Sequence, residues 1–115
     1  MHEYAIVQAL LERVEAEAAG RGACSVRHLH VRIGEVAGVE IDLLRTAYGV
    51  FRDRTLCENA DLSIVPVPAR WECPSCRTPL TRGAILRCPD CAIPARLAAG
   101  DEIVLDRIEM EVSDV

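Results

Sequence analysis

The sequence predicts an α+β fold, in which two helices cover one face of a small three-stranded sheet and a cysteine-rich segment is inserted before the last strand. Three observations lead to this prediction. Two stretches have apolar residues at helical spacing, three others have the character of strands, and four cysteines form two Cys-x-x-Cys pairs between residues 73 and 91. With 115 residues, half of them apolar, the chain can build one domain with a modest core and a small appendage.

The two helices are predicted from the spacing of their apolar residues. The first opens at the start of the chain and ends near Gly20 and Gly22, and the second runs from about Glu40 to Leu56. The apolar face of the first helix consists of Val7, Leu10, Leu11, Val14 and Ala18. The apolar face of the second consists of Ile41, Leu44, Ala47, Tyr48 and Phe51.

Three segments are predicted as strands. Residues 25–33 alternate between apolar and polar side chains, as in a strand with one solvated face. Residues 62–67 form a short strand, which its prolines mark as an edge strand or one that is ending. In the last strand, residues 103–112, the apolar phase slips between Leu105 and Ile108, which predicts a bulge.

Two histidines, His28 and His30, lie on the polar face of the first predicted strand. A pair of histidines two residues apart on one strand face could bind a metal ion. No cysteine, aspartate or third histidine accompanies them, so we interpret them as solvated polar residues.

The cysteine pairs predict a metal site formed by Cys73, Cys76, Cys88 and Cys91. Two intervening residues let a tight turn aim both thiolates at one point, and two such turns complete a tetrahedral sulfur shell around Zn²⁺. Eleven residues separate the pairs, which suits a short hairpin with Pro79 and Gly83 as turn residues. Because no histidine and no open position accompany the shell, we predict a structural zinc that stabilises the fold.

Two other uses of the four cysteines stay open at this stage. A pair of disulfides would require an oxidising compartment, but no signal peptide is recognisable, since Glu3 stands where a positive charge is expected. Tetrahedral sulfur sites also hold iron, and Cys-Pro-x-Cys turns occur in rubredoxin-like electron carriers. Arg77 and Ala92 follow the two turns at positions where those carriers usually have glycine, which argues against iron.

Composition and motifs argue against several classes of function. The net charge of −5 and the four aromatic residues disfavour nucleic acid as a partner, and no apolar run is long enough to span a membrane. No phosphate-binding glycine loop, activated nucleophile or His-Glu-x-x-His pattern is present, so we predict that the protein is not an enzyme. We expect a cytoplasmic, reducing environment, in which Cys24 and Cys57 are small buried hydrophobic residues.

The position of the cysteine segment predicts a discontinuous larger domain. That domain comprises residues 1–68 and 99–115, and the zinc-binding domain comprises residues 69–98. Because two short connections join them, the smaller domain can move as a unit.

Taken in order, these features resemble the nickel-insertion accessory proteins of hydrogenase maturation, the HypA/HybF type. The resemblance covers nearly the whole chain. It rests on Met1-His2-Glu3 at the start of the first helix, Ile33-Gly34-Glu35 at the end of the first strand, the Leu44–Arg52 helix core and the two cysteine pairs. No single motif is specific, but the combination is.

The resemblance implies a metallochaperone with structural Zn²⁺ on the four cysteines and Ni²⁺ at the N-terminus. Met1, His2 and Glu3 match the family's nickel segment, and Glu40 falls where some members carry an aspartate that is proposed to assist. The implied partners are a nickel-binding GTPase, the hydrogenase large subunit and, in some organisms, the urease accessory system.

The chemistry of the N-terminus supports the nickel interpretation independently. The Met1 amine, the His2 amide nitrogen and the His2 imidazole can close adjoining chelate rings around one ion, and Ni²⁺ suits such a nitrogen-rich set. A histidine at position 2 supplies three nitrogens and leaves positions for Glu3, Glu40, water or a partner's ligand, which favours release. The competing hypothesis is a zinc-ribbon module that contacts protein or nucleic acid and has no nickel function.

Overall fold

The structure is a computed structural model that describes residues 2–80 and 86–112, except for the side chain of His2. Gly83, which the sequence predicts as a turn residue, lies outside the described residues. In chain order the elements are α1 (His2–Gly20), β1 (Ala23–Gly34), α2 (Ile41–Phe51), β2 (Asp61–Val67), β3 (Arg70–Glu72), β4 (Pro79–Leu80), β5 (Arg96–Ala99) and β6 (Ile103–Val112). No helix in the described part of the chain is long and apolar enough to cross a membrane.

The predicted α+β class is confirmed, since two helices accompany a three-stranded sheet of order β2-β1-β6. Strand β1 is central and β2 lies at an edge, where the missing N–H of Pro66 removes no central ladder bond. The buried hydrophobic residues of α1 are those predicted from its periodicity: Val7, Leu10, Leu11, Val14 and Ala18. Leu44, Ala47 and Tyr48 of α2 and Leu29, Val31 and Ile33 of β1 are also buried.

A second sheet, of order β4-β3-β5, accompanies the cysteine segment and was not predicted. Both of its pairings are antiparallel. Pro79 is wrong as a turn residue, because it pairs with Glu72 in the edge strand β4, where its missing N–H is tolerated. Across β3 and β5, the Arg96 guanidinium donates two hydrogen bonds to the Glu72 carboxylate, at 2.7 and 3.1 Å. This charge-assisted pair contributes to the pairing of β3 and β5, which are too short to be stable by themselves.

Helix α2 ends at Phe51, five residues before the predicted end at Leu56. The Thr55 hydroxyl donates to the Arg52 carbonyl at 2.6 Å, and its oxygen accepts the Cys57 N–H at 3.1 Å. Arg54 has a left-handed backbone with φ of 63°. These local bonds give the backbone an alternative to the helix, which explains the early end.

The segment after β1 is fixed by a close approach of two backbones. A Cβ placed on Gly34 would lie 2.1 Å from the carbonyl carbon and oxygen of Gly100, so only glycine fits at position 34. The Glu35 carboxylate accepts the Ala69 N–H at 2.8 Å, and the Glu35 N–H donates to Val67. This explains in physical terms the Ile33-Gly34-Glu35 motif of the sequence.

By compactness the chain divides into two units. The first contains residues up to Arg32, Val39–Val65 and those from Val104 onward, and the second contains Ile33–Gly38 and Pro66–Ile103. Domain boundaries in the sense of independent folding are a different property, so the boundaries given above stay a prediction.

Three smaller predictions have different outcomes. Cys57 is buried as predicted, but Cys24 is exposed, and its thiol donates to the Glu111 carbonyl at 3.4 Å. The prediction for Cys24 is wrong, because Cys24 lies at the start of β1 and the first buried residue of this strand is Val26. Along β6, exposed and half-buried side chains do not alternate strictly between Val104 and Ile108. The bulge predicted there stays a prediction.

Candidate metal centres

The four cysteines of the insert form one cluster, in which the Sγ atoms all lie within 4.8 Å of one another. The two turns that carry them match. In each, the first cysteine donates its N–H to the carbonyl five residues on, and its own carbonyl accepts the N–H four residues on. For Cys73 these partners are Thr78 and Arg77, at 3.0 and 2.9 Å, and the turn at Cys88 repeats the arrangement at 3.0 and 2.8 Å.

The cluster has the dimensions of a tetrahedral site. The Cys76 and Cys88 sulfur atoms lie 3.7 Å apart, and two sulfur ligands of a tetrahedral zinc with bonds of 2.3 Å lie about 3.8 Å apart. All four cysteines are free, and the 3.7 Å distance is far longer than the ~2.05 Å of a disulfide. The geometry therefore favours a shared ion over disulfides, and the residues present fit Zn²⁺.

The cysteines of the cluster differ in the acidity of their thiols. The Thr78 hydroxyl, 3.0 Å from the Cys76 sulfur, and the Thr78 backbone lower the pKa of Cys76 to about 6 because they hydrogen-bond to the thiolate. Hydrogen bonds with the sulfur atoms of the other cysteines, first Cys76 and then Cys73, raise the pKa of Cys91 to about 12. Without a cation the cluster cannot ionise fully, since several thiolates would share one small space.

The residues after the two turns have the backbone that glycine usually adopts. Arg77 has φ of 61° and Ala92 has φ of 56°. The absence of glycine therefore counts less against iron, because Arg77 and Ala92 adopt the same left-handed backbone conformation. Sulfur geometry alone is common to zinc and iron sites.

At the start of the chain, the structure brings together two of the residues predicted for nickel. Glu3 is only 5% exposed, and its carboxylate accepts the Glu40 backbone N–H at 3.0 Å. Glu40 is the N-cap residue of α2, and its own side chain makes no capping bond. Glu3 of α1 therefore satisfies an amide at the positive end of α2, where a carboxylate is stabilised. Met1 and the side chain of His2 lie outside the described residues.

A second group of potential metal ligands, missed from the sequence, consists of His28, His30 and Glu109. The two imidazole rings stack with centroids 4.1 Å apart, and both are half-buried. His30 Nε2 lies 2.5 Å from a Glu109 carboxylate oxygen. From the sequence, only cysteine, aspartate or a third histidine was expected as a further ligand beside the pair. Glutamate on the last strand was the available signal, but its register could not be read from the sequence.

The fold and the cysteine cluster define a class: a small α+β metal-binding protein with a zinc-ribbon-like insert. Residues 1–110 match the family described as hydrogenase/urease nickel incorporation, metallochaperone, HypA. The chain belongs to the HypA family of nickel metallochaperones.

Individual relatives agree with this assignment over almost their whole length. The chain is 38% identical to hydrogenase maturation factor HypA of Wolinella succinogenes over 99% of this chain and 98% of that protein. It is 32% identical to the Campylobacter jejuni protein of the same name, with 96% and 100% covered. The solution structure of the Ni metallochaperone HypA from Helicobacter pylori is similar with a TM-score of 0.73 at 28% identity, with 96% and 98% covered. A further solution structure of a HypA protein gives 0.80 at 28% identity, with 98% of both chains covered.

Proposed function

We propose that this protein carries Ni²⁺ and delivers it during maturation of [NiFe]-hydrogenase. Membership of the HypA family supports the class of function. The observation that carries the proposal for the site is the hydrogen bond from the Glu40 N–H to the Glu3 carboxylate. It joins two residues of the proposed nickel set, although 37 positions separate them in the chain.

The start of α1 supports an N-terminal chelate. Helix α1 begins at His2, where a backbone N–H has no acceptor within the helix and can exchange its proton for a metal ion. The positive end of the helix opposes a cation, and the carboxylate of Glu3 in the first turn offsets that charge. A carboxylate can accept a hydrogen bond and bind a metal ion together, so the contact with Glu40 does not exclude ligation by Glu3. The proposal requires Met1 to carry a free amine.

For the cysteine cluster we propose one resident Zn²⁺ held by Cys73, Cys76, Cys88 and Cys91. The matched turns and the 3.7 Å sulfur separation support a closed tetrahedral site. When bound, the ion supplies folding free energy to residues 69–98, which we propose as a separate domain.

We further propose that the protein acts without catalysis, in the cytoplasm, and together with other maturation proteins. A nickel-binding GTPase is the proposed source of energy for insertion, and the hydrogenase large subunit is the proposed recipient. Urease accessory proteins are proposed as further partners where a urease is present.

Nickel titration of the full-length, untagged, zinc-loaded protein tests the proposed function. We expect one Ni²⁺ per chain and transfer of that ion to metal-free hydrogenase large subunit in the presence of the GTPase. Failure to bind nickel at all would contradict the proposal and favour a zinc-ribbon interaction module.

A further inference from the structure

The β2-β1-β6 sheet carries a cluster of polar side chains that the nickel proposal does not use. Its centre is the pair His28 and His30 on the central strand β1. His28 Nε2 lies 2.5 Å from Ser63 Oγ on β2, and His30 Nε2 lies 2.5 Å from Glu109 Oε2 on β6. The cluster thus draws its residues from all three strands, and each histidine faces a different neighbouring strand.

We propose that His28, His30 and Glu109 form a third cation site, which binds a borderline divalent transition-metal ion such as Zn²⁺ or Ni²⁺. Imidazole suits these ions, and two imidazoles with one carboxylate are an established ligand set for zinc. Three protein ligands leave at least one position for solvent, so the ion is exchangeable. This inference rests on the sheet geometry and stands apart from the N-terminal nickel proposal.

The distances allow the three groups to converge. One donor atom from each residue lies within 4.8 Å of the other two, and ligands of a tetrahedral zinc lie about 3.4 Å apart. His30 Nε2 and Glu109 Oε2, which lie 2.5 Å apart, need to separate by about 1 Å, and the 4.8 Å limit on the other distances requires shifts of at most similar size, which rotations of the side-chain ends can supply. The near-parallel rings, with an interplanar angle of 10°, already direct both imidazoles to the same side of the strand.

Access and charge also fit a cation. The side chains of His30 and Glu109 are 27% and 41% exposed, so an ion can reach them from solvent while the strands hold their backbones. The Glu109 carboxylate already accepts His30 Nε2–H, and Arg107 Nη2 donates to the same oxygen at 3.1 Å. A metal ion takes the place of the His30 proton at this point.

The main competitor for the site is the Arg107 guanidinium. Its Nη2 also lies 3.3 Å from His30 Nε2, where its positive charge opposes a second cation. The side chain of Arg107 is 66% exposed and can turn into solvent when an ion binds. Removal of this charge should therefore strengthen the site, which an ion-pair network without a metal function would not do.

Zinc titration followed through the imidazole resonances tests the proposal. The chain has three histidines, so a His2→Ala variant of the full-length, zinc-loaded protein leaves only His28 and His30 in the ¹⁵N imidazole spectrum. We expect further Zn²⁺ to shift both signals together in a saturable way. Glu109→Gln should weaken this binding by about tenfold or more, and Arg107→Gln should strengthen it by about threefold or more.

Glu111→Gln is the matched control, because Glu111 lies on the same strand but pairs with Arg27 at 3.7 Å, outside the cluster. It should change the affinity less than about twofold. Imidazole signals that do not respond to millimolar Zn²⁺ would overturn the proposal. Equal effects of Glu109→Gln and Glu111→Gln would overturn it as well, since the ligand would then not be Glu109.

Discussion

The Glu3 carboxylate of α1 accepts the backbone N–H of Glu40, the N-cap residue of α2, at 3.0 Å. The Glu3 side chain can therefore act as a helix cap and as a nickel ligand. As a cap it joins the starts of two helices, and as a nickel ligand it would add a carboxylate to the N-terminal nitrogens. The two tasks depend on different properties, because a cap needs an oxygen acceptor whereas a metal ligand needs the negative charge as well.

Substitutions at Glu3 separate these tasks. Glu3→Gln keeps an oxygen acceptor, so we expect it to lower the free energy of unfolding by about 1 kcal/mol or less and to reduce nickel affinity clearly. Glu3→Ala removes the acceptor of a part-buried hydrogen bond and should lower the free energy of unfolding by about 1–2 kcal/mol. Chemical denaturation and nickel titration measure both effects. Glu12→Gln is the control, because it removes the same charge at an exposed position of α1. Equal nickel affinity in Glu3→Gln and Glu12→Gln would exclude Glu3 as a ligand.

Metal analysis and removal test the cysteine site. We expect one Zn²⁺ per chain, no iron and no disulfide, with an affinity that falls as pH falls because protons compete for the thiolates. Cys76→Ser should increase hydrogen exchange in the β4-β3-β5 sheet, while α1 and α2 stay protected. Cys24→Ser is the control, since Cys24 is an exposed cysteine outside the cluster. Iron in the purified protein, or equal exchange in the two variants, would contradict this prediction.

Gly34 should be intolerant of a methyl group. Gly34→Ala places a Cβ 2.1 Å from the backbone of Gly100. Because backbone atoms cannot move aside as the end of a flexible side chain could, we expect a loss of about 3 kcal/mol of stability. Gly20→Ala is the matched control, because nothing lies within 4 Å of the added Cβ. Thermal or denaturant unfolding compares the two. A Gly34→Ala protein as stable as Gly20→Ala would show that the two backbones do not pack as described.

Two buried acids predict a loss of stability at high pH. Burial raises the pKa of Tyr48 to about 12 and that of Cys57 to about 11, from ordinary values of 10.0 and 9.0. Because the folded state holds these protons more tightly than the unfolded state, their contribution is complete below pH 9 and is lost as pH rises toward 12. The free energy of unfolding of the zinc-loaded protein should therefore fall across this window.

Tyr48→Phe should remove the part of this pH dependence that comes from the phenol. At neutral pH it should cost about 1 kcal/mol, since the Tyr48 hydroxyl donates to the Ala60 carbonyl at 2.8 Å. The cost stays modest because Arg52 also donates to that carbonyl, at 3.0 Å. An unchanged alkaline slope in Tyr48→Phe would refute the assignment.

The features predicted correctly from the sequence are those that neighbouring residues determine. The helices followed from apolar spacing, and the cysteine cluster followed from two-residue turns that aim both sulfur atoms at one point. The early end of α2 was missed because the left-handed backbone of Arg54 and the bonds of Thr55 leave no periodic signal. Strands β3, β4 and β5, two to four residues long, are too short to show alternation.

The contacts between distant residues could not be predicted. Glu3 and Glu40 are 37 positions apart, and His30 and Glu109 are 79 positions apart. Their meeting depends on how helices pack and on which residues of β1 and β6 lie side by side. Register of this kind is set by the burial of whole faces, so the sequence gives candidate residues without their pairing.

The nickel affinity of untagged protein, compared with that of protein carrying a long N-terminal tag, tests the central claim most directly. The proposed chelate uses the Met1 amine, the His2 amide and the His2 imidazole, so a long tag removes the amine although it leaves every side chain in place. We expect the zinc-loaded, long-tagged protein to bind nickel more weakly and to deliver less of it, and His2→Ala to weaken binding as well. Equal nickel affinity and delivery in the tagged and untagged proteins would contradict the N-terminal chelate.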